Sequence, residues 1–448
     1  MKVVIVGAGF GGLSLARKLN NKPGFDVVLI DKFNYHQFQP LFYQVATASL
    51  DASNISFPLR KIFQHSKNVR IRLAELQQVI PSENKIVTEG EEIEYDVLVL
   101  ATGADTNFFG KEGIKANAFP MKSTVEALQL RYRLLKNFEE ALILKDDIEK
   151  QKLMNVVVVG GGPTGVEVAG ALADMKNCVL PKDYPELDFS KMNIYLLEGC
   201  DKILPGMSAT SSARSSKYLK KLGVKVMMHT MVDDYDGREV TLNDGAKIPS
   251  ATVIWAAGIR GNVPVGVDTL LVTGGNRIKV NRQCQVKGYH NIYVIGDLAC
   301  METARYPNGH PQVAPVAMQQ SALVAKNLIR KERECLTFYD FEYHDRGTMA
   351  TVGRNLAVVD IPMPKVFRGP LHLGGLLAWL IWMGLHLIMI LGVKNRLFVL
   401  LNWIYNYVTY DQSLRLIFRK NYKTDQVLPS NLKKSSNKNN AQVHVSNS

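Results

Sequence analysis

Two short stretches of this sequence carry residue types and spacings that bind nucleotides. Gly7, Gly9 and Gly12 stand at G-x-G-x-x-G spacing behind the apolar run Val3–Val6, and Gly160, Gly162 and Gly165 repeat the pattern behind Val156–Val159. In such a loop the first glycine makes the turn, the second lets a pyrophosphate approach the backbone, and the third lets helix and strand pack closely. The helix that follows offers free amide N–H groups and a positive dipole end to the phosphates. Phe10 in the first loop, and Pro163 and Thr164 in the second, flank that path. Each pattern then runs through another apolar strand to an acid: Asp31, followed by Lys32, and Glu198. A carboxylate there accepts hydrogen bonds from ribose hydroxyls. Two fingerprints on one chain predict two dinucleotides, and the pair is far more specific than either one.

The elements that must position these loops follow from hydrophobic patterning. Short unbroken apolar runs are expected of parallel strands buried on both faces. One run leads into Ala101-Thr102-Gly103, one into Ala257-Gly258, and one into Gly296-Asp297. An acid at the end of the last strand can reach the ribityl chain of a flavin. Its distance from Gly7 predicts an α/β fold in which one Rossmann-like domain is inserted in another. Residues 1–113 with 285–335 form the first domain, and 114–284 the second. Glu198 lies 38 residues beyond Gly160, against roughly 20 in the simple motif. A loop over Cys178–Met192 accounts for the excess. Ser123-Thr124-Val125-Glu126 is a capping box, opening a helix whose expected apolar face holds Leu128, Tyr132, Leu135, Phe138 and Leu142. Pro311–Gln320 leads into another helix, and residues 336–364 read as short strands of a third domain.

At 448 residues the chain is too long for one ordinary core. The five cysteines are far apart with no C-x-x-C pair, which disfavours both a local redox disulfide and a metal site. Met1-Lys2 runs directly into the first strand, so no leader peptide is expected. Net charge is +13, and residues 365–448 hold eleven Lys/Arg against two Asp/Glu. That basic end suits an anionic lipid surface better than nucleic acid, because the same stretch is rich in apolar residues. Residues 369–393 contain no Asp, Glu, Lys or Arg, but glycines and His372 and His386 interrupt them. Residues 397–410 are apolar and aromatic but too short to span. Two amphipathic helices lying in one leaflet's interface are expected, with a bilayer span and a homodimer face as the competing readings. Trp379, Trp382, Leu385, Leu397, Leu400 and Trp403 would enter the lipid, with Lys394, Arg396, Arg415, Arg419 and Lys420 beside the headgroups. This C-terminal domain covers 336–420, and the polar residues 421–448 read as a disordered tail.

Further stretches sharpen the reading: Gln39–Thr47, Lys122-Ser123, Ile203-Leu204-Pro205, Asp345–Ala350 and Ala378–Trp382. With the two fingerprints they make the chain resemble the type II NADH:quinone oxidoreductases, single-subunit alternative NADH dehydrogenases, to about Arg419. The resemblance implies FAD on Gly7, Gly9, Phe10, Gly12, Asp31, Lys32, Ala101, Thr102, Gly103, Gly296, Asp297 and Ala317. It implies NADH on Gly160, Gly162, Pro163, Thr164, Gly165, Glu198, Ala257 and Gly258. It also implies a quinone, menaquinone or ubiquinone, near Gln44, Ala314, Pro315 and Gln319, reduced without proton pumping at the cytoplasmic face of a membrane. The family's A-Q-x-A-x-Q pattern reads Ala314-Pro315-Val316-Ala317-Met318-Gln319 here, so Gln319 keeps the second amide and Pro315 replaces the first. Glu167 has two readings: an acid in the first helical turn favoured by the helix dipole, or, as the resemblance implies, a group at the flavin–nicotinamide contact that positions nicotinamide or relays protons. A sulfide:quinone oxidoreductase would need paired cysteines at the flavin. A soluble NADH oxidase would not need the apolar C-terminus, and a non-catalytic NADH-sensing flavoprotein would show no quinone turnover.

Overall fold

The computed structural model describes residues 1–363 and 369–417. The expected tail over 421–448, and Arg419 and Lys420, lie outside those residues. Residues up to Leu414 form one compact unit.

β1 (Lys2–Val6), α1 (Phe10–Leu19) and β2 (Asp26–Asp31) open the chain. The short helix α2 (Phe42–Ala46) follows, then β3 (Val69–Leu73) and β4 (Val97–Leu100). The capping box forms as expected: Ser123 Oγ accepts the Glu126 N–H, and Glu126 accepts the Ser123 N–H. It starts α3 (Thr124–Ile143), whose buried face runs through Ala127, Leu130, Leu134, Phe138 and Ala141. Of the expected face, Leu135 and Phe138 are buried, whereas Leu128, Tyr132 and Leu142 are only half-buried.

The second fingerprint builds β5 (Val156–Val159), α4 (Pro163–Asp174), β6 (Ile194–Leu197), α5 (Ala209–Lys221), β7 (Val224–Met227) and β8 (Thr252–Trp255). The stretch expected as a loop from Cys178 does not begin as one. The helix continues through a π-helical turn, Met175–Val179, into Leu180–Asp183. Pro181 gives no N–H to the preceding turn, which suits the wider π geometry.

β9 (Ile292–Val294) then returns to the first sheet, whose parallel order is β9-β4-β1-β2-β3. The second sheet is β7-β6-β5-β8, also parallel. The chain crosses between them on two adjacent strands, Ala104–Thr106 and Ile259–Gly261, which pair antiparallel. α6 (Ala314–Glu332) packs along α1. A three-stranded antiparallel sheet follows, β10 (Thr348–Thr351), β11 (Ala357–Ile361) and β12 (Leu371–Gly374), then α7 (Leu376–Met389) and α8 (Val393–Thr409). Residues 336–347 contain no strand, so the small sheet starts later than expected.

No helix among the described residues is long and apolar enough to cross a membrane. The 14 residues of α7 reach about 21 Å, short of a hydrocarbon core of about 30 Å. Trp382 and Trp403 were expected in lipid; both are buried in the protein core instead. Indole rings can reach partners that aliphatic side chains cannot: Trp382 stacks on His386, and Trp403 donates to Gln44. Trp379 and Leu400 are half-buried, whereas Leu385 and Leu397 are exposed together with Leu376, Leu377, Ile388 and Leu401.

Candidate active site

The two glycine loops repeat one geometry. Gly7 and Gly160 adopt φ +101° and +105°, a region open to glycine. A Cβ on Gly12 would lie 1.9 Å from the Gly7 carbonyl oxygen, and one on Gly165 1.9 Å from that of Gly160. Nothing lies within 4 Å of a Cβ built on Gly9 or Gly162, the N-caps of α1 and α4. The space that a pyrophosphate needs is therefore free at both helix N-termini, neither of which carries an acid in its first turn. Asp31 accepts the Ala8 N–H at 2.6 Å and the Phe33 N–H at 2.7 Å. Glu198 accepts the equivalent N–H groups of Gly161 and Cys200 at 2.5 and 2.8 Å. Each acid is thus clamped beside its loop, with lone pairs left for a ribose. Burial raises the Asp31 carboxyl, opposed by the Ala8 and Phe33 N–H groups and by Lys32.

The remaining residues expected at the dinucleotides lie around these loops. Phe10 packs edge-on against His36 and Phe38, and Lys32 is exposed over the Phe33 ring. Pro163 and Thr164 are exposed in the first turn of α4. Thr102 and Asn262 exchange two hydrogen bonds, each donating to the other's carbonyl, and Gly103 turns with φ +69°. Ala257 backs the Gly160 turn, and Gly258 lies against Phe109. Burial raises the Asp297 carboxyl, against the charges of Lys122 and Arg277. Ala317 packs against Gly11 and Gly296, so its small side chain is what lets α6 approach the first loop.

Gln319 is engaged with the backbone of His344: its Nε2 donates to the carbonyl and its Oε1 accepts the N–H, at 3.0 Å each, which leaves one Nε2 hydrogen for another acceptor. Its neighbour Gln320 is the buried glutamine: its Oε1 accepts the Gly296 N–H at 2.7 Å, and its Nε2 has no partner. A buried amide donor without a partner, beside Gly296, fits a bound group with hydrogen-bond acceptors such as a flavin. Ala314 and Pro315 form the first turn of the same helix, where proline is tolerated.

Glu167 is placed differently from the helix-dipole reading. It is the fifth residue of α4, beyond the first turn, and points into the interior. Its Oε1 accepts the Thr351 N–H at 3.3 Å, and the Trp382 indole N–H lies near without closing a hydrogen bond. Burial pushes its carboxyl up to about 8. From Thr351 a chain of buried groups runs outward. The Thr351 hydroxyl meets the Tyr43 hydroxyl at 3.1 Å, Gln44 Nε2 donates to Tyr43 at 3.0 Å, and Trp403 Nε1 donates to Gln44 Oε1 at 2.8 Å. The network joins α4, β10, α2 and α8. It can hold a proton at Glu167 near neutral pH and pass hydrogen bonds towards the C-terminal helices. Tyr43, Thr351 and Gln320 were given no role from sequence, and Trp382 and Trp403 were expected in lipid; the local signal was position in or beside stretches already noted, Gln39–Thr47, Pro311–Gln320, Asp345–Ala350, Ala378–Trp382 and 397–410.

Residues 1–321 match the family model described as pyridine nucleotide–disulphide oxidoreductase, and residues 345–409 match the NDH2 C-terminal domain. The chain is 35% identical to the type II NADH:quinone oxidoreductase Ndh of Mycobacterium tuberculosis, covering 90% of this chain and 87% of that protein. It is 30% identical to the type II NADH:quinone oxidoreductase of Haemophilus influenzae, over 86% and 92% of the two chains. The fold is that of the Plasmodium falciparum NDH2 solved in complex with NADH, with TM-score 0.83, 20% identity and coverage of 93% and 99%. It also resembles the Aquifex aeolicus sulfide:quinone oxidoreductase, with TM-score 0.69, 19% identity and coverage of 92% and 96%.

Proposed function

Since the chain belongs to the type II NADH:quinone oxidoreductases, we propose that its geometry serves NADH oxidation at one fingerprint and quinone reduction on the side of the C-terminal helices, without proton pumping. FAD and NADH are its cofactors; when bound, FAD would supply the two-electron carrier between NADH and quinone. The observation that carries this is the pair of acid-clamped glycine loops on a chain whose five cysteines are all free. Electrons therefore leave for an acceptor outside the protein rather than for a disulfide. Residues 1–113 with 285–335 are assigned to FAD, 114–284 to NADH and 336–420 to the membrane side. Glu198 favours NADH, because its charge would repel a 2′-phosphate. Glu167 holds a proton beside the site, and Gln44 is the amide nearest the acceptor path. Anaerobic NADH should bleach the flavin absorbance, and a short-chain quinone should restore it. Bleaching that only oxygen reverses would sink the quinone reading.

The membrane reading rests on α7 and α8. Both helices expose leucines and isoleucines, and Lys394 and Arg396 stand exposed in the first turn of α8. Burying these apolar side chains contributes about 25 cal/mol per Å2, and each basic residue near an anionic surface adds about 1 kcal/mol. This supports attachment to the anionic cytoplasmic leaflet. Replacing Leu377, Ile388, Leu397 and Leu401 together by Ser should release the protein from anionic vesicles while NADH:ferricyanide activity persists. Retained vesicle binding, or a mass that falls from dimer to monomer without lipid, would assign these side chains to a homodimer or elsewhere.

A further inference from the structure

A second carboxyl lies on the Glu167 face of α4. Asp174 is seven residues on, two turns and about 10 Å away. It borders an open cleft whose inner wall is Tyr43, Gln44 and Thr351 and whose outer wall includes Arg354 and Asn406. We propose that Asp174 admits protons from solvent to the buried chain that ends at Glu167, a role that rests on Glu167 holding a proton for the reaction. The overall reaction converts NADH, one proton and quinone to NAD+ and quinol. The two electrons travel as the NADH hydride, so one proton per turnover must come from water. Glu167 is only 9% exposed, with the Thr351 amide against its carboxyl.

The cleft supplies a path from water. Its volume of about 140 Å3 has room for several waters, and polar side chains that can hold them line it: Thr47, Ser49, Gln44, Thr351 and Asn406. Waters there would meet the Tyr43 hydroxyl, which is bonded to the Thr351 hydroxyl; the Thr351 amide N–H fixes the Glu167 carboxyl without relaying a proton, so the last transfer to Glu167 runs through water beside the Thr351 hydroxyl. At the outer end Asp174 accepts the Arg354 N–H at 2.6 Å. The Arg354 guanidinium is turned away, 4.5 Å from the Tyr407 ring centre and 3.5 Å from that of Tyr410. The titratable groups facing Asp174 are Arg354 from the strand turn, Tyr43 from α2, Cys178 from the π turn, and Tyr407 and Tyr410 from α8. Burial pushes the Tyr43 and Cys178 pKa values upward, so both stay neutral. Burial also raises Asp174, to about 6, against the Arg354 N–H and charge, which suits exchange with water near neutrality.

Asp174→Asn keeps an acceptor for the Arg354 N–H but carries no proton. At about pH 8 its quinone turnover should fall about tenfold, while flavin reduction by NADH and turnover with ferricyanide, an acceptor of electrons alone, stay at the wild-type rate. Millimolar imidazole should restore part of the quinone rate, and Asp174→Glu should restore most of it. Wild-type quinone turnover and pH profile in Asp174→Asn would overturn the proposal. An equal fall with quinone and ferricyanide would overturn it too, because it would mark a purely structural residue. Glu167→Gln, measured in parallel, separates the two layers. If it slows quinone reduction and Asp174→Asn does not, only the proton inlet is wrong. If Glu167→Gln leaves quinone turnover unchanged, the relay fails and the inlet with it.

Discussion

The two fingerprint helices differ less in how they start than in what covers them. α1 and α4 both leave a glycine N-cap, and both need a glycine where a Cβ would strike the first carbonyl. Two residues after that glycine, α1 carries Ser14 and α4 carries Glu167. Ser14 receives a hydrogen bond from Ser321 of α6 at 2.8 Å; Glu167 receives one from the β10 backbone. Further along, Gly170 of α4 backs directly onto Val352 and Gly353, so close that a Cβ would lie 2.5 Å from the Gly353 nitrogen. The loop geometry is the same in both cases; the covering layer differs, and it is the second helix that lies against the C-terminal sheet.

The largest effects should come from the shared part. Gly12→Ala and Gly165→Ala each force a Cβ onto a carbonyl and should cost more than about 4 kcal/mol locally. Gly12→Ala should purify without flavin. Gly165→Ala should stay yellow but fail to be bleached by NADH. Flavin loss from Gly165→Ala would show that the two loops are not independent.

The unshared part comes next. Glu167→Gln should lower quinone turnover about a hundredfold, whereas Ser14→Ala should change it less than about twofold. Stability carries a second signature. The Glu167 carboxyl is pushed from 4.5 to about 8 on folding. Between those values the folded protein keeps a proton that the unfolded chain has released. Stability therefore falls as pH rises through that window, by up to about 1.4 kcal/mol per unit. Glu167→Gln should flatten that slope in urea melts; an unchanged slope would place the proton elsewhere.

A smaller effect should follow at the acid clamps. Glu198→Gln removes the charge but keeps an acceptor for Gly161. The kcat/KM preference for NADH over NADPH should narrow about tenfold. Asp31→Asn should leave that ratio unchanged and loosen flavin instead. A shift in the ratio from Asp31→Asn would contradict the assignment of the two loops. The smallest change is Trp403→Phe, which removes the donor to Gln44 and should cost about 1 kcal/mol, seen in urea melts of the flavin-loaded protein. No change there would mean that water replaces the indole.

What was legible in the sequence was local. A glycine loop and its acid are fixed by spacing within one strand–helix–strand unit, so both copies were read with their acids, though not the backbone clamps on them, and the capping box was read with its helix. What was not legible depends on partners far apart in the chain. Thr351, Trp382 and Trp403 meet Glu167 and Gln44 only after folding, and hydropathy alone makes a core tryptophan look like a lipid-facing one. Gln319 and Gln320 differ by one position, about 100° around a helix. A motif names the pair but not the one that turns inward. The buried face of α3 was only partly read: Leu135 and Phe138 are buried as expected, but the helix's many apolar residues left the centre of the stripe undetermined.

The paired crossing between the two sheets has a consequence for engineering. The outgoing and returning strands lie side by side, with Ala104 opposite Gly261 and Thr106 opposite Ile259. Residues 107–258 are thus hung from the rest of the fold by a two-ply strap whose ends already meet. They can be treated as a cassette. If they read the coenzyme as proposed, exchanging them for the same stretch of a relative with different coenzyme taste should transplant that taste while flavin and acceptor stay those of the host.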